Sequence, residues 1–274
     1  MFDYYKIRTE SFNAQDHLML LTLDVGNTNL KFGLWVYDTL SAVWRISTRK
    51  DISGDELGLV LDGFLRLNGY GFRDITDLAV ASVVPPMRPA LERLASRYLN
   101  LTPVFVEAHL QRLMPIRYTD PREVGSDRVV VSVAAYRRFK TSLIVLDFGT
   151  ATTFDCVSEK GEYLGGAIAP GFRLSAEALF QKASRLPKME QFYSPQRAIS
   201  QDTVNSLNSG MVLGYTGLIE GLVSRIRGEM SGQPMVVATG GLAALFARET
   251  QVIKEVLPNL TMEGLKILYE EKLY

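Results

Sequence analysis

Two stretches of this chain, 123 residues apart, begin in the same way: an apolar run, then aspartate, one apolar residue, glycine and a nearby threonine. Leu20-Leu21-Thr22-Leu23-Asp24-Val25-Gly26-Asn27-Thr28 is answered by Leu143-Ile144-Val145-Leu146-Asp147-Phe148-Gly149-Thr150. Each apolar run bounded by a glycine turn reads as a buried strand. After the first come a returning strand over 30–37 and a third over 42–47. A helix follows over 55–67, with apolar residues at 57, 60, 61, 64 and 65. Then come a strand over 77–84 ended by Pro85-Pro86, a helix over 89–99 and a short strand over 103–106. After the second come strands over 153–157 and 162–168 and helices over about 171–183 and 202–228. A strand over 235–238, a helix from Leu242 and a last helix over about 261–272 complete the chain. A repeat this long is not a solenoid, whose period is about 20–50 residues. It predicts an α/β fold of two similar lobes, residues 19–120 and 121–274, with a ligand in the cleft between them. Residues 1–18 read as a polar extension, either a real arm or an upstream start, since Met19 serves equally well as a first residue.

Composition removes several functions. Thirty basic residues balance thirty acidic ones, so the basic surplus that meets a phosphate backbone is missing and no nucleic-acid partner is expected. One cysteine, Cys156, excludes an internal disulfide and a Cys-rich zinc site, and two histidines weaken any Ser-His-Asp scheme. No run of about 20 apolar residues suggests a membrane partner. Residues 1–18 carry Asp3, Glu10 and Asp16 and lack a signal-peptide core, so the expected compartment is a reducing cytoplasm.

The chemistry-bearing motifs sit at the strand ends. In Asp24-Val25-Gly26-Asn27-Thr28-Asn29-Leu30-Lys31, a tight hairpin offers N–H groups and hydroxyls to an anion. Asp24 is placed to hold a metal and Lys31 to reach a phosphate. An ordinary hairpin would also use Asn and Gly. The second copy, Asp147 to Asp155, favours a phosphate clamp, because folding alone does not call for the same device in both lobes. No G-x-x-x-x-G-K-[ST] occurs, so the site is not of the Walker type. Tyr118 to Arg128 precedes an apolar helix over 129–139. Arg128 could hold a carboxylate by paired hydrogen bonds and Asp127 could take a proton from a hydroxyl, or the two could be a helix acid with a surface ion pair. Gly165-Gly166-Ala167-Ile168-Ala169-Pro170-Gly171 and Thr239-Gly240-Gly241 are glycine-rich strand ends, the latter suited to a flat ligand such as adenine. As isolated signals they are weak.

Together these five series resemble type III pantothenate kinase, in that family's order and spacing over about residues 19–258. The resemblance implies the superfamily of acetate and sugar kinases, heat-shock chaperones and actin: an actin-like duplication of two ribonuclease-H-like lobes with mixed five-stranded sheets. It implies phosphorylation of pantothenate by ATP with magnesium, the first step toward coenzyme A. It places Asp24, Val25, Gly26, Asn27, Thr28, Asn29, Leu30 and Lys31 on the ATP phosphates, with Asp24 near magnesium. Thr150 would touch ATP, and Asp147 would bind a monovalent cation, K+ or NH4+. Asp127 would be the general base. Tyr118, Gly125, Ser126, Asp127, Arg128 and Thr203 would contact pantothenate, Arg128 through the carboxylate. The family is homodimeric, with the pocket at or near the dimer interface. Two departures are small: Val131 where members often have Asn, and Ser126 for a frequent Ala.

Two other readings stand beside this one. One is a regulatory protein like Bvg accessory factor, against which the Asp127-Arg128 pair argues. The other is an acetate or sugar kinase of the superfamily, of which Arg128 beside the expected base disfavours a neutral sugar. The 129–139 helix is apolar around most of its circumference. It is buried either between the lobes of one chain or against a second copy, and the resemblance favours the second copy.

Overall fold

The computed structural model describes residues 19–271, so the reading of residues 1–18 and the expected helix end at Lys272 lie outside the described residues. The first sheet is built from β1 (Met19–Val25), β2 (Asn29–Val36), β3 (Thr39–Ser47), β4 (Asp77–Ser82) and β5 (Val104–Phe105). Its order is β3-β2-β1-β4-β5, antiparallel across β1–β2–β3 and parallel across β1–β4–β5. The second sheet uses β6 (Leu143–Phe148), β7 (Ala151–Val157), β8 (Tyr163–Pro170), β9 (Met235–Gly240) and β10 (Glu255–Val256), in the order β10-β9-β6-β7-β8. Matching β6 to β1 makes the two sheets identical in order and direction, as a duplication requires.

Side-chain alternation sorts each strand between two cores. On β1, Met19, Leu21, Leu23 and Val25 join α1 (Gly54–Leu67) and α2 (Arg88–Leu94) on the outer face, while Leu20 turns inward. On β6, Ile144, Leu146 and Phe148 join α4 (Phe172–Lys182), α5 (Thr203–Glu229) and α6 (Ala243–Glu249) outside, while Leu143 and Val145 turn inward. Between the sheets lies a shared layer of two helices, α3 (Ser126–Phe139) and α7 (Leu260–Glu270). The result is five layers: helices, sheet, helices, sheet, helices. By the same parity Asp24 and Asp147 end their strands on the inner faces.

Two expectations need correction here. The helix expected from Val129 begins one turn earlier, at Ser126 with Gly125 as its N-cap, so Asp127 and Arg128 stand inside its first turn. No Ser, Thr, Asp or Asn marks that cap, which hid it in the sequence. Nor does this helix need a second copy to cover it. Val129, Val130, Val131, Val133, Ala134 and Ala135 pack within one chain against Leu257, Leu260, Met262, Leu265 and Leu268 and against both sheets. Its all-round apolarity is that of a core helix, so the argument from this helix to a dimer fails.

The last helix also reaches back across the molecule. Besides α3, α7 touches β1 and β4 of the first sheet. Thr22 Oγ1 lies 3.3 Å from Met262 Sδ and accepts from Trp35 Nε1 at 3.3 Å. Lys266 Nζ donates to Asp38 Oδ1 at 2.8 Å and sits 5.5 Å from the Trp35 ring centre. Helices α3 and α7 approach so closely that a Cβ on Gly264 would collide with the Val130 carbonyl.

Gly264→Ala is therefore expected to destabilise the chain by about 1–3 kcal/mol through overpacking. Gly63→Ala is its control: Gly63 is exposed in α1 with nothing within 4 Å of the added methyl. That change should stabilise by about 0.5–1 kcal/mol. Urea midpoints that shift alike in the two variants would contradict the packing described.

Candidate active site

The duplicated hairpins place their turns face to face. Gly26 N–H donates to Asn29 O at 3.0 Å and Gly149 N–H to Ala151 O at 3.0 Å. Thr48 Oγ1 donates to Gly26 O at 2.6 Å and tethers the first turn to β3. The hydroxyls of Thr28 and Thr150 lie 2.6 Å apart across the cleft. Asn27, Thr28, Gly149 and Thr150 are exposed, so polar atoms of both turns face the same opening. Val25 and Leu30 differ: their side chains are fully buried in the outer core, which leaves only their backbone for a ligand. Gly240 has φ +91°, and a Cβ there would come within 2.6 Å of Asp147 Oδ1 and the Phe148 backbone. The close approach expected of a flat ligand is, at Gly240, an approach of β6 itself. At Gly241 nothing stands within 4 Å of an added Cβ.

Deeper in the cleft, the first turn of α3 delivers the second group of residues. Asp127 Oδ1 accepts the Arg128 backbone N–H at 2.9 Å, which turns the carboxylate onto the helix N-terminus. Arg128 is almost fully buried, and its Nε donates to Asp155 Oδ1 at 2.7 Å. Asp155, fully buried on β7, also accepts from Tyr163 Oη at 2.8 Å and from Thr153 Oγ1 at 2.8 Å. Arg128 Nη2 is buried with no hydrogen-bond partner among the described residues. The Tyr118 ring lies beside Gly165, its centre 6.5 Å from that of Tyr163.

Four carboxylates thus share the cleft with two cations. Asp24 on β1 and Lys31 on β2 face each other in register, 3.4 Å apart. Burial raises Asp24 above the ordinary carboxylate range and outweighs Lys31. Burial, reinforced by the negative charges of Asp24 and Asp155, pushes Asp127 up to about 6 against the pull of the Arg128 N–H. Asp147 is pushed up to about 7, first by burial, then by Asp24, Asp127 and Asp155, with Lys31 opposing. Asp155 is raised by burial despite Arg128. Such uncompensated negative charge suits a cation. Among the described residues no three His, Cys, Asp or Glu side chains gather into a metal site. A magnesium ion at Asp24 would therefore take its other ligands from phosphate oxygens and water, its usual habit.

Comparison with known proteins settles the family. The family model for type III pantothenate kinase matches residues 20–225. The type III pantothenate kinase of Syntrophotalea carbinolica is 52% identical over 92% of this chain and 98% of its own length. That of Geotalea uraniireducens is 48% identical over the same shares. The chain belongs to the type III pantothenate kinase family. The actin-like fold is seen separately in MreB 5 of Spiroplasma citri, bound to AMPPNP. It is 11% identical, with a TM-score of 0.54 over 93% of this chain and 97% of that one. The two mixed five-stranded sheets are that duplicated actin-like fold.

Of the residues expected to form the site, most converge. Asp24, Gly26, Asn27, Thr28, Asn29 and Lys31 come to the cleft from the first hairpin, and Asp147 and Thr150 from the second. Tyr118, Gly125, Ser126, Asp127 and Arg128 lie at the head of α3 or beside β8. Thr203 stands apart: it opens α5 at an exposed position, in the chain next to Asp202, which lines a cavity of about 450 Å³ with Tyr193, Arg197 and Asn205. Sequence reasoning gave no role to Asp155 or Tyr163. Asp155 closes the threonine-rich motif, which was the available signal. Tyr163 offered none, because its partner lies eight residues away across the β7–β8 pair.

The raised carboxyl of Asp147 has a thermodynamic consequence. An unfolded aspartate ionises near 3.9, while the folded one holds its proton up to about pH 7. Folding takes up a proton between these values, so stability falls as pH rises from about 4 to about 7. Asp147→Asn should remove that loss. In buffer free of metal and potassium it should raise Tm at pH 8 by several degrees, at about 2–4 °C per kcal/mol for a chain this size. At pH 4 it should leave Tm unchanged. An equal shift at both pH values would exclude this charge as the cause.

Proposed function

We propose that this chain transfers the γ-phosphoryl group of ATP to the primary hydroxyl of pantothenate, giving 4'-phosphopantothenate and ADP on the way to coenzyme A. The observation that carries the reading is Asp127. Its carboxylate sits at the head of α3 in the cleft into which both phosphate hairpins turn, next to a buried arginine. With a pKa of about 6 it is ionised at neutral pH yet basic enough to share a proton in the transition state. As the pantothenate oxygen attacks phosphorus, its proton passes to Asp127. Lys31 and the turn N–H groups and hydroxyls orient the phosphates, and Arg128 takes the pantothenate carboxylate. Positioning and charge neutralisation supply most of the acceleration in such transfers. Nothing in the cleft favours a regulatory role like that of Bvg accessory factor, or another small acid or a sugar as substrate.

We further propose a monovalent cation, K+ or NH4+, at Asp147, where the carboxylate cluster leaves charge unbalanced. A cytoplasmic location fits this chemistry, and no described helix is long and apolar enough to cross a membrane. The homodimer implied by the family is assigned here to α5, since α3 is already covered. Gly210, Gly214, Gly217 and Gly221 are exposed along α5, and a Cβ on any of them would meet nothing within 4 Å. Each glycine costs the helix roughly 0.5–1 kcal/mol relative to alanine. A closely approaching second helix accounts for that cost, and Ile168, Leu174, Leu179 and Val204 add exposed apolar surface on β8, α4 and α5. The same surface carries Thr203, which this arrangement brings to pantothenate from the second copy.

Asp127→Asn should keep the fold and lower kcat by about 10²–10⁴-fold. In the wild type, kcat/KM should rise with pH through about 6 and then level, since only the ionised base accepts the proton. A folded Asp127→Asn variant with undiminished kcat would refute the base assignment. Gly217→Leu fills empty space in a single chain, so it should preserve folding yet weaken the dimer and pantothenate binding together. Sedimentation that finds the active wild type monomeric at micromolar concentration would remove the dimer from the proposal.

A further inference from the structure

Arg128 presents a puzzle that the reaction scheme leaves open. A guanidinium is planar and offers its donors along fixed edges, and a carboxylate partner normally takes two of them. In this cleft one carboxylate, Asp155, takes only Nε. Nη2 is sealed from water and bonded to nothing among the described residues, lying against Gly166 on β8. Leaving such a donor unsatisfied is costly, and native chains keep few of them.

The surroundings of Asp155 account for this arrangement. Tyr163 Oη shares Oδ1 with Arg128 Nε, and Thr153 Oγ1 occupies Oδ2. With Oδ2 turned to Thr153, Asp155 meets Arg128 at Nε alone, and Nη2 is left without a partner among the described residues. The Tyr163 ring, its centre 5.7 Å from Arg128 Cζ, supports the side chain from one side. The side chains of Arg128 and Asp155 are 8% and 0% exposed, so neither has room to swing.

We infer that Asp155 is a positioning residue for the reaction: with Thr153 and Tyr163 it holds Arg128 by Nε alone and keeps the guanidinium's outer edge free for the substrate carboxylate. This rests on the proposed role of Arg128. It adds that affinity for the acid depends on a carboxylate that never touches it. Asp155 also supplies the negative charge that lets a buried arginine persist before substrate arrives, since a buried cation without a partner is strongly disfavoured.

The test is steady-state kinetics on Asp155→Asn, Tyr163→Phe and Arg128→Ala, each with pantothenate and with its neutral alcohol analogue, in which CH2OH replaces the carboxylate. Asp155→Asn keeps the shape but loosens the anchor. It should raise KM for pantothenate about 10- to 100-fold, by analogy with the loss of residues that orient metal ligands. KM for ATP should change less than about twofold by the same reasoning. With the alcohol analogue the penalty should vanish, because no carboxylate remains for Arg128 to meet. Tyr163→Phe keeps the ring and should reproduce the selectivity at smaller amplitude, which decides the matter if the Asp155→Asn variant does not fold. Arg128→Ala separates the two claims. If it leaves pantothenate KM unchanged, the role of Arg128 itself is wrong. If it raises that KM while the Asp155 and Tyr163 variants do not, or if their penalty is equal for acid and alcohol, only the positioning role is overturned.

Discussion

The fold brings four carboxylates, Asp24, Asp127, Asp147 and Asp155, into one cleft and sets Lys31 and Arg128 against them, with a weaker pull of Arg45 on Asp24. This imbalance sets the behaviour of the site. Burial, with mutual repulsion at Asp127 and Asp147, raises all four acids above the ordinary carboxylate range. The cost is met by the scaffold: apolar cores on both faces of each sheet fix the strand ends from which the acids project. A site of this kind cannot stand on a loosely packed frame, because separating its charges would be easier than holding them.

Much of this was legible in the chain. The duplicated Asp-x-Gly series revealed two lobes, because a strand's alternation forces residues at equal offsets onto equivalent faces. Once Leu23 and Leu146 are placed outward, Asp24 and Asp147 must point inward. The motif around Asp127 was legible because it clusters an acid, an arginine and a glycine. What remained hidden had contacts distant in sequence. The apolar helix after Arg128 was ambiguous because nothing local says that α7, more than a hundred residues later, covers it. The partnership of Asp155 with Tyr163 depends on strand register, and the β7–β8 pair shifts register between Cys156 and Val157. The exposure of the α5 glycines depends on what packs around that helix, which the local sequence does not state.

The lobes are joined by more than the chain that runs between them. They share α3 and α7, so each sheet has one private helical layer and one common one. Reacting groups are distributed in the same way. Asp24 and Lys31 belong to the first sheet, Asp147 and Asp155 to the second, and Asp127 and Arg128 to the common layer. A displacement of either sheet against α3 changes the distance from the base to one set of phosphate contacts. The contact between Thr28 and Thr150 joins the two hairpin tips at the far end of that arrangement.

The place of α7 in this layer also bears on how the chain comes to be folded in a cell. Thr22, on β1, touches Met262, 240 positions later. Ribosomes add about 5–20 residues per second, so β1 waits roughly 12–50 s for the helix that covers its inner face. Once α3 is made, β4 has it as a neighbour, but the inner face of β1, with Leu20, still lacks α7. The nascent first lobe thus keeps an apolar inner face uncovered until α7 arrives, and a change in α7 would be felt at β1.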